Sequence, residues 1–238
     1  MEKLMYALWA EGGDGEAMGA RLRSDIVPVL QGEGARYLSV AVADDRVAAG
    51  GELRIGSMPA AKDAMVSLWL PVSFDRSGVE AALSSVAERI AGYLVSESRP
   101  LVTPLTALGG PGEATDGFHL VTCLCSREDI DHDEFVQRWQ GPFSEVAIGL
   151  QSTFDYVRNE VIRPLTLDAP PWEAIVEEGF PAKAITQRAA FFDADDAAIL
   201  AEREQAMFEA VQQFLDLGSV ESHPMSQYVY EAGPDVNQ

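Results

Sequence analysis

A nine-residue segment of this chain recurs in its second half. Asp63-Ala64-Met65-Val66-Ser67-Leu68-Trp69-Leu70-Pro71 aligns without gaps on Glu173-Ala174-Ile175-Val176-Glu177-Glu178-Gly179-Phe180-Pro181. An acidic residue, an alanine, an apolar pair and a closing proline coincide. Such a recurrence points to one structural unit built twice, and the flanking segments follow the same order. Each half opens on an apolar stretch suited to a strand, residues 4–9 and 118–125. A helical stretch comes next. In the first half Met18, Leu22, Ile26 and Val29 recur at helical spacing over residues 16–30, and Pro28 ends or kinks that helix. In the second half Asp131 and Glu134 form a capping-box-like start, and Phe135, Trp139, Phe143, Val146 and Leu150 make the apolar stripe. Second strands at residues 36–42 and 154–161 precede the repeated segment. Each half then closes with helix and strand: residues 79–94 and 101–105 in the first, 182–215 and 227–230 in the second.

The order β-α-β-β-α-β in each half is the ferredoxin-like pattern. A Gly/Pro cluster at residues 108–113 punctuates the chain, giving an N-terminal repeat at residues 1–110 and a C-terminal repeat at 111–238. A four-stranded sheet with helices on one face leaves its other face bare, and that face has to be buried. Two such antiparallel sheets in one chain can pack face to face, which predicts an α+β fold: an internal pseudo-dimeric α/β barrel. The chain is then a monomer with an internal pseudo-dimer, or a homodimer of such chains. Residues 232–238 read as a polar tail.

Charge narrows the partners. Lys and Arg number 17 against 38 Asp and Glu, a formal net charge of −21. A surface so negative repels phosphate backbones and anionic membranes, so neither nucleic acid nor membrane is an expected partner. No apolar run approaches the roughly 20 residues that span a bilayer, and the first residues lack a secretory-signal pattern; a cytoplasmic protein is the expectation. Cys123 and Cys125 lie one residue apart in an apolar stretch and read as small buried hydrophobes. The acidic run at residues 128–134 lacks the glycine turn and terminal glutamate of a calcium loop, and charge there suits a helix N-terminus. Residues 11–15 carry acidic side chains where a phosphate loop needs none.

Several segments of the second half resemble the EthD family of dimeric α/β-barrel proteins. Phe135 and Trp139 match that family's first-helix motif, although Phe143 stands where its histidine is expected. Tyr156-Val157-Arg158-Asn159 matches its second strand, Glu173-Ala174-Ile175-Val176-Glu177 its third, and Phe214-Leu215-Asp216 its closing Phe-x-Asp. The first half is similar only in layout, through residues 4–9 and 63–70. The resemblance implies a barrel handling small, often hydrophobic organic molecules in catabolic or tailoring pathways, in many relatives without metal or organic cofactor; none is expected here. Phe143 in place of the histidine removes a group able to move a proton near neutral pH.

Candidate site residues follow from strand alternation. Glu177 and Glu178 point to opposite sides of one strand, so one faces the barrel and the other the helices. A carboxylate in the dry barrel has a raised pKa and can act as base or acid; otherwise it is a rim or solvent-facing residue. Tyr156 and Arg158 share one strand face, Asn159 the other; they either orient a ligand's oxygen or form a network between sheets. Trp9 and Trp69 either line an aromatic cavity or belong to the core, and Trp172, on a loop entering a strand after Pro170 and Pro171, either caps a pocket or has no part in one. His119, His132 and His223 read as structural or surface histidines, and Trp139 as part of a helix stripe. Three functions are consistent with these residues. The first is cofactor-independent acid/base chemistry with Glu177 or Glu178 as base and Tyr156, Arg158 or Asn159 at the oxyanion. The second is a non-catalytic accessory or binding protein, and the third a component of an oxidoreductase system.

Overall fold

The computed structural model describes residues 1–56, 61–102 and 109–231. Its eight described strands are β1 (Glu2–Trp9), β2 (Arg36–Val42), β3 (Ala64–Leu70), β4 (Arg89–Leu101), β5 (Phe118–Leu124), β6 (Asp155–Pro164), β7 (Ala174–Phe180) and β8 (Glu221–Val229). They close into one antiparallel barrel in the order β1-β3-β2-β8-β5-β7-β6-β4. Around this ring β4-β1-β3-β2 and β8-β5-β7-β6 are equivalent four-stranded sheets, and the repeated nine residues lie on β3 and β7. Their inner faces enclose the barrel interior, and their edges hydrogen-bond, β2 to β8 and β4 to β6. Closure leaves no unpaired sheet edge.

Alternation along the strands separates two environments. Leu4, Tyr6 and Leu8 of β1 pack outward with Met18, Leu22, Leu30, Val79 and Leu83 from the first half's helices. Met5, Ala7 and Trp9 point inward and meet Met65, Tyr93, Val121, Ile175 and Met225 in the barrel. Strands covered on both sides explain why β1 and β5 read as continuous apolar runs. Each large side chain removed from water in this way stabilises by about 1.5–3 kcal/mol.

The helices are α1 (Gly15–Arg21), α2 (Val27–Gly32), α3 (Ser77–Ser84), α4 (His132–Arg138), α5 (Ser144–Leu150), α6 (Arg188–Phe191) and α7 (Ala197–Val211). Pro28 follows the π-helical turn Leu22–Ile26 in a helix that runs on without a break into α2, and the widened turn is where the ladder accommodates its missing N–H. In the second half Gly141 and Pro142 interrupt the ladder between α4 and α5. Asp131 caps α4 by accepting from the Glu134 amide at 2.9 Å. Gly117 enters β5 with φ of 76°, and a Cβ there would stand 2.0 Å from the Phe180 carbonyl oxygen; the site demands glycine.

Two expectations need correction. The helix expected over residues 79–94 stops at Ser84, and residues 89–101 form β4. Leu83, Val86, Ile90 and Leu94 recur at helical spacing, but the same stretch also alternates, with Ala91, Tyr93 and Val95 inward. Sheet pairing with β1 and β6 selects the strand. The strand expected at 101–105 lies partly outside the described residues. β8 begins at Glu221, well before 227, because its first inward residues, Glu221 and His223, are buried polar groups that disguise a strand. Among the described residues no helix is long and apolar enough to cross a membrane.

Candidate ligand-binding site

β7 carries Glu177 and Glu178 side by side, and the pleat sends them to opposite faces. Glu177 enters the barrel and joins a network built by both halves. Lys3 Nζ donates to Glu97 Oε2 at 2.5 Å, to Asn159 Oδ1 at 2.7 Å and to Glu177 Oε2 at 3.4 Å. Asn159 Nδ2 donates to Glu177 Oε2 and to the Ile175 carbonyl, both at 3.1 Å. Arg99 completes the set with a bond to Glu97 Oε1 at 2.7 Å. Burial pulls the Glu97 carboxyl upward, but Lys3 and Arg99 outweigh it and hold it below the usual range. Every charge in this network has a partner.

Glu178 faces the helices and is 8% exposed. It stands on the floor of a cavity of about 440 Å³ between the outer face of β5, β7 and β8 and the helices α5, α6 and α7. Leu120, Val176, Phe143, Phe192, Met207 and Val211 supply much of an apolar wall. No hydrogen bond or ion pair reaches the Glu178 carboxylate among the described residues, and burial alone pushes its pKa up to about 8. Tyr156, its cross-strand neighbour, is fully buried beside it. Burial first, then the Glu178 charge, keeps that phenol protonated. The Gln151 amide also lines the cavity, and its Oε1 is buried without a partner.

The roof is held at its ends. Asp196 caps α7 by accepting from the Ala198 and Ile199 amides. Arg203 donates to the Leu150 carbonyl at 3.2 Å and the Phe192 carbonyl at 2.8 Å, tying α7 to α5 and α6. Between these anchors α7 has no fully buried residue, and its Met207, Phe208 and Val211 look onto the cavity. At the rim Arg188 pairs with Glu204 and lies 5.0 Å from the Phe192 ring centre.

The remaining candidate residues lie elsewhere. Arg158 turns toward the α4–α5 interruption: its Nη1 donates to the Gln140 carbonyl at 2.6 Å and Ser144 Oγ at 2.9 Å, and its Nε to Ser98 Oγ at 3.0 Å. Trp9 and Trp172 come together inside the barrel, ring centres 6.4 Å apart, and Trp172 also stacks on Tyr93 at 5.3 Å. Trp69 does not join them; β1 and β3 run antiparallel, so Trp69 stands opposite Lys3 and meets Tyr37 edge-on. His119 lies between Asp155 at 3.4 Å and Thr115 at 3.5 Å. His223 is buried near the Lys62–Glu221 pair; burial, then Lys62 and Arg54, lower its pKa to about 3.

Sequence reasoning did not reach Gln151, Arg188, Glu204 or the apolar side of α7 as parts of one site. The spacing of Leu200, Met207 and Val211 marks that side, but nothing local separates a helix lining a cavity from one closing a core. Phe143, the departure from the EthD histidine, lies in the cavity wall.

No family model matches the chain, and no curated protein matches it in sequence. Solved structures do match. An anthrone oxidase-like protein superposes with a TM-score of 0.56 at 12% identity, over 96% of this chain and 93% of that one. A protein from Lactobacillus acidophilus NCFM, described provisionally as a monooxygenase, gives 0.52 at 10% identity, over 98% and 97%. At such identities the likeness is one of fold: the dimeric α/β-barrel architecture, spanning the whole chain.

Proposed function

We propose that the chain binds a small, largely apolar organic molecule between the second sheet and its helices, with Glu178 exchanging a proton or hydrogen bond with it. One observation carries this reading: an unpaired carboxyl on the floor of a largely apolar cavity. A carboxyl so placed costs stability, and perturbed groups of this kind concentrate at functional sites. A pKa of about 8 keeps both its forms accessible near neutrality, as a general acid or base requires. Glu177 is assigned instead to holding the barrel, because its carboxylate is spent on Lys3 and Asn159.

The resemblance to the EthD family supports this reading, as do the names of the two structural neighbours, anthrone oxidase-like and monooxygenase. Phe143 in the cavity wall favours binding, or a single proton transfer through Glu178, over chemistry that needs a histidine. An accessory role without turnover is therefore the second reading. The neutral probe 1-naphthylmethanol is expected to bind and raise the melting temperature. Val211→Trp, filling the cavity from α7, is expected to abolish that binding while the fold persists. Unchanged binding in the folded variant would overturn the proposal.

A further inference from the structure

The cavity is not only apolar; it is short of positive charge. Its wall carries Glu178, Glu52 and Glu204 against one guanidinium, Arg188, which already pairs with Glu204. Two acceptors on its floor are unmatched: the Glu178 carboxylate, once ionised, has no cationic or hydrogen-bonding partner among the described residues, and the buried Gln151 Oε1 has none either. The hydroxyls of Thr122 and Ser222 bond each other at 2.7 Å. Aromatic rings stand around these acceptors, from Phe143, Phe191, Phe192 and Phe208. One of them, Phe192, already receives a cation, the Arg188 side chain.

Resting on the assignment of this cavity as the binding site, we propose that its ligand is an organic cation: an apolar body bearing a protonated amine that pairs with Glu178. An ammonium brings both things the floor lacks, hydrogen-bond donors and positive charge. The rings add cation–π attraction, worth about 0.5–2 kcal/mol depending on desolvation. A neutral ligand leaves the carboxyl to hold its own proton, and a carboxylate ligand meets Glu52 and Glu204 with only the already paired Arg188 to offset them. The whole molecule, with a net charge of −21, draws cations toward it and repels anions.

Below pH 8 pairing requires Glu178 to give up its proton, so binding there releases up to one proton to solvent. The titratable and charged groups facing the cavity beside Glu178 are Glu52 from the 3-10 segment Asp45–Leu53, Tyr156 on β6, Arg188 on α6 and Glu204 on α7. Arg158, also on β6, is engaged with Gln140 and Ser144. With Glu178 titrating at about 8, amine affinity falls toward tenfold per pH unit on the acid side, about fiftyfold between pH 8 and pH 6, where the amine itself stays protonated.

Three probes with one ring system test the proposal by isothermal titration calorimetry: 1-naphthylmethylamine, 1-naphthylmethanol and 1-naphthoate. At pH 8.5 the amine is expected to bind at least about tenfold more tightly than the alcohol, and the naphthoate least. Glu178→Gln is expected to bring amine and alcohol within about threefold, the amine losing most of its advantage. In the native chain, without any variant, amine affinity is expected to drop as the pH falls and alcohol affinity to change little. Equal or tighter binding of the alcohol, or an amine preference that survives Glu178→Gln or ignores pH, overturns the charge assignment and leaves the cavity assignment standing. Binding of none of the three overturns both.

Discussion

Glu177 and Glu178 are the same side chain on consecutive residues, and their surroundings give them opposite properties. Glu177 is ion-paired with Lys3 and hydrogen-bonded by Asn159 inside the barrel, whereas burial without a partner keeps Glu178 protonated up to about pH 8. The sequence shows that the two diverge, because a strand alternates. It does not show which is paired, since Lys3 and Glu97 come from the other half of the chain. Two consequences are measurable. Glu178 has a raised pKa in the folded state, so it contributes stability below its unfolded value near 4.5 that is lost as pH rises to about 8. His223 is buried neutral, so stability is lost as pH falls from 6.5 toward 3. The two slopes oppose each other between 4.5 and 6.5, and from 6.5 to 8 Glu178 acts without His223. Unfolding free energy from urea titrations is expected to fall by about 2 kcal/mol over that upper window, and Glu178→Gln to remove most of the fall. An identical slope in the variant would contradict the burial of an unpaired carboxyl. Lys3→Met leaves Glu177 and Glu97 buried with less compensation and is expected to cost about 3–5 kcal/mol. Adding Glu177→Gln is expected to recover part of that loss; a fully additive second loss would show that the two do not interact.

At the level of elements, β4 and α7 show what local pattern can and cannot decide. Residues 89–95 satisfy both a helical and an alternating reading, and only pairing to β1 and β6 resolves them. Tyr6 lies against Gly92 so closely that a Cβ there would fall 2.5 Å from its ring. β8 was obscured by buried charges, which a reading that equates polar with exposed assigns to a loop. Elements with clean signals were legible: the capped α4, the twin strands β3 and β7, and β1. α7 is the element in which fold and function meet, a helix of 15 residues without a buried one. Helices with few buried contacts open at low free energy. In hydrogen–deuterium exchange, α7 amides are expected to exchange faster than those of β5 and β7, and to slow on adding 1-naphthylmethylamine. Slow exchange in the free protein, or no change on binding, would mean that α7 is not the roof of a working site.

For the molecule as a whole, duplication made the architecture readable and asymmetry made the site hard to find. The repeated segment and the element order specify two sheets needing a partner, and the closed ring meets that need with β2–β8 and β4–β6 pairing. The halves then diverge. Helices of the first pack densely on their sheet through Met18, Leu22, Leu30, Val79 and Leu83; in the second α4 packs likewise through Phe135, while α7 has no buried residue and leaves the cavity beneath it. If residues 1–110 and 111–238 are the two folding repeats, each alone exposes a barrel face and two sheet edges. Separately expressed, they are expected to aggregate or self-associate, and to recombine into a native-like complex when refolded together. Two well-folded, non-associating monomers would speak against the shared barrel. The most direct measurement is a crystal structure of the chain soaked with 1-naphthylmethylamine. Density for the ring system between β7 and α7, with the nitrogen against the Glu178 carboxylate, is the expected result. Density only inside the barrel among Trp9, Tyr93 and Trp172, or an empty cavity at saturating probe, would contradict it.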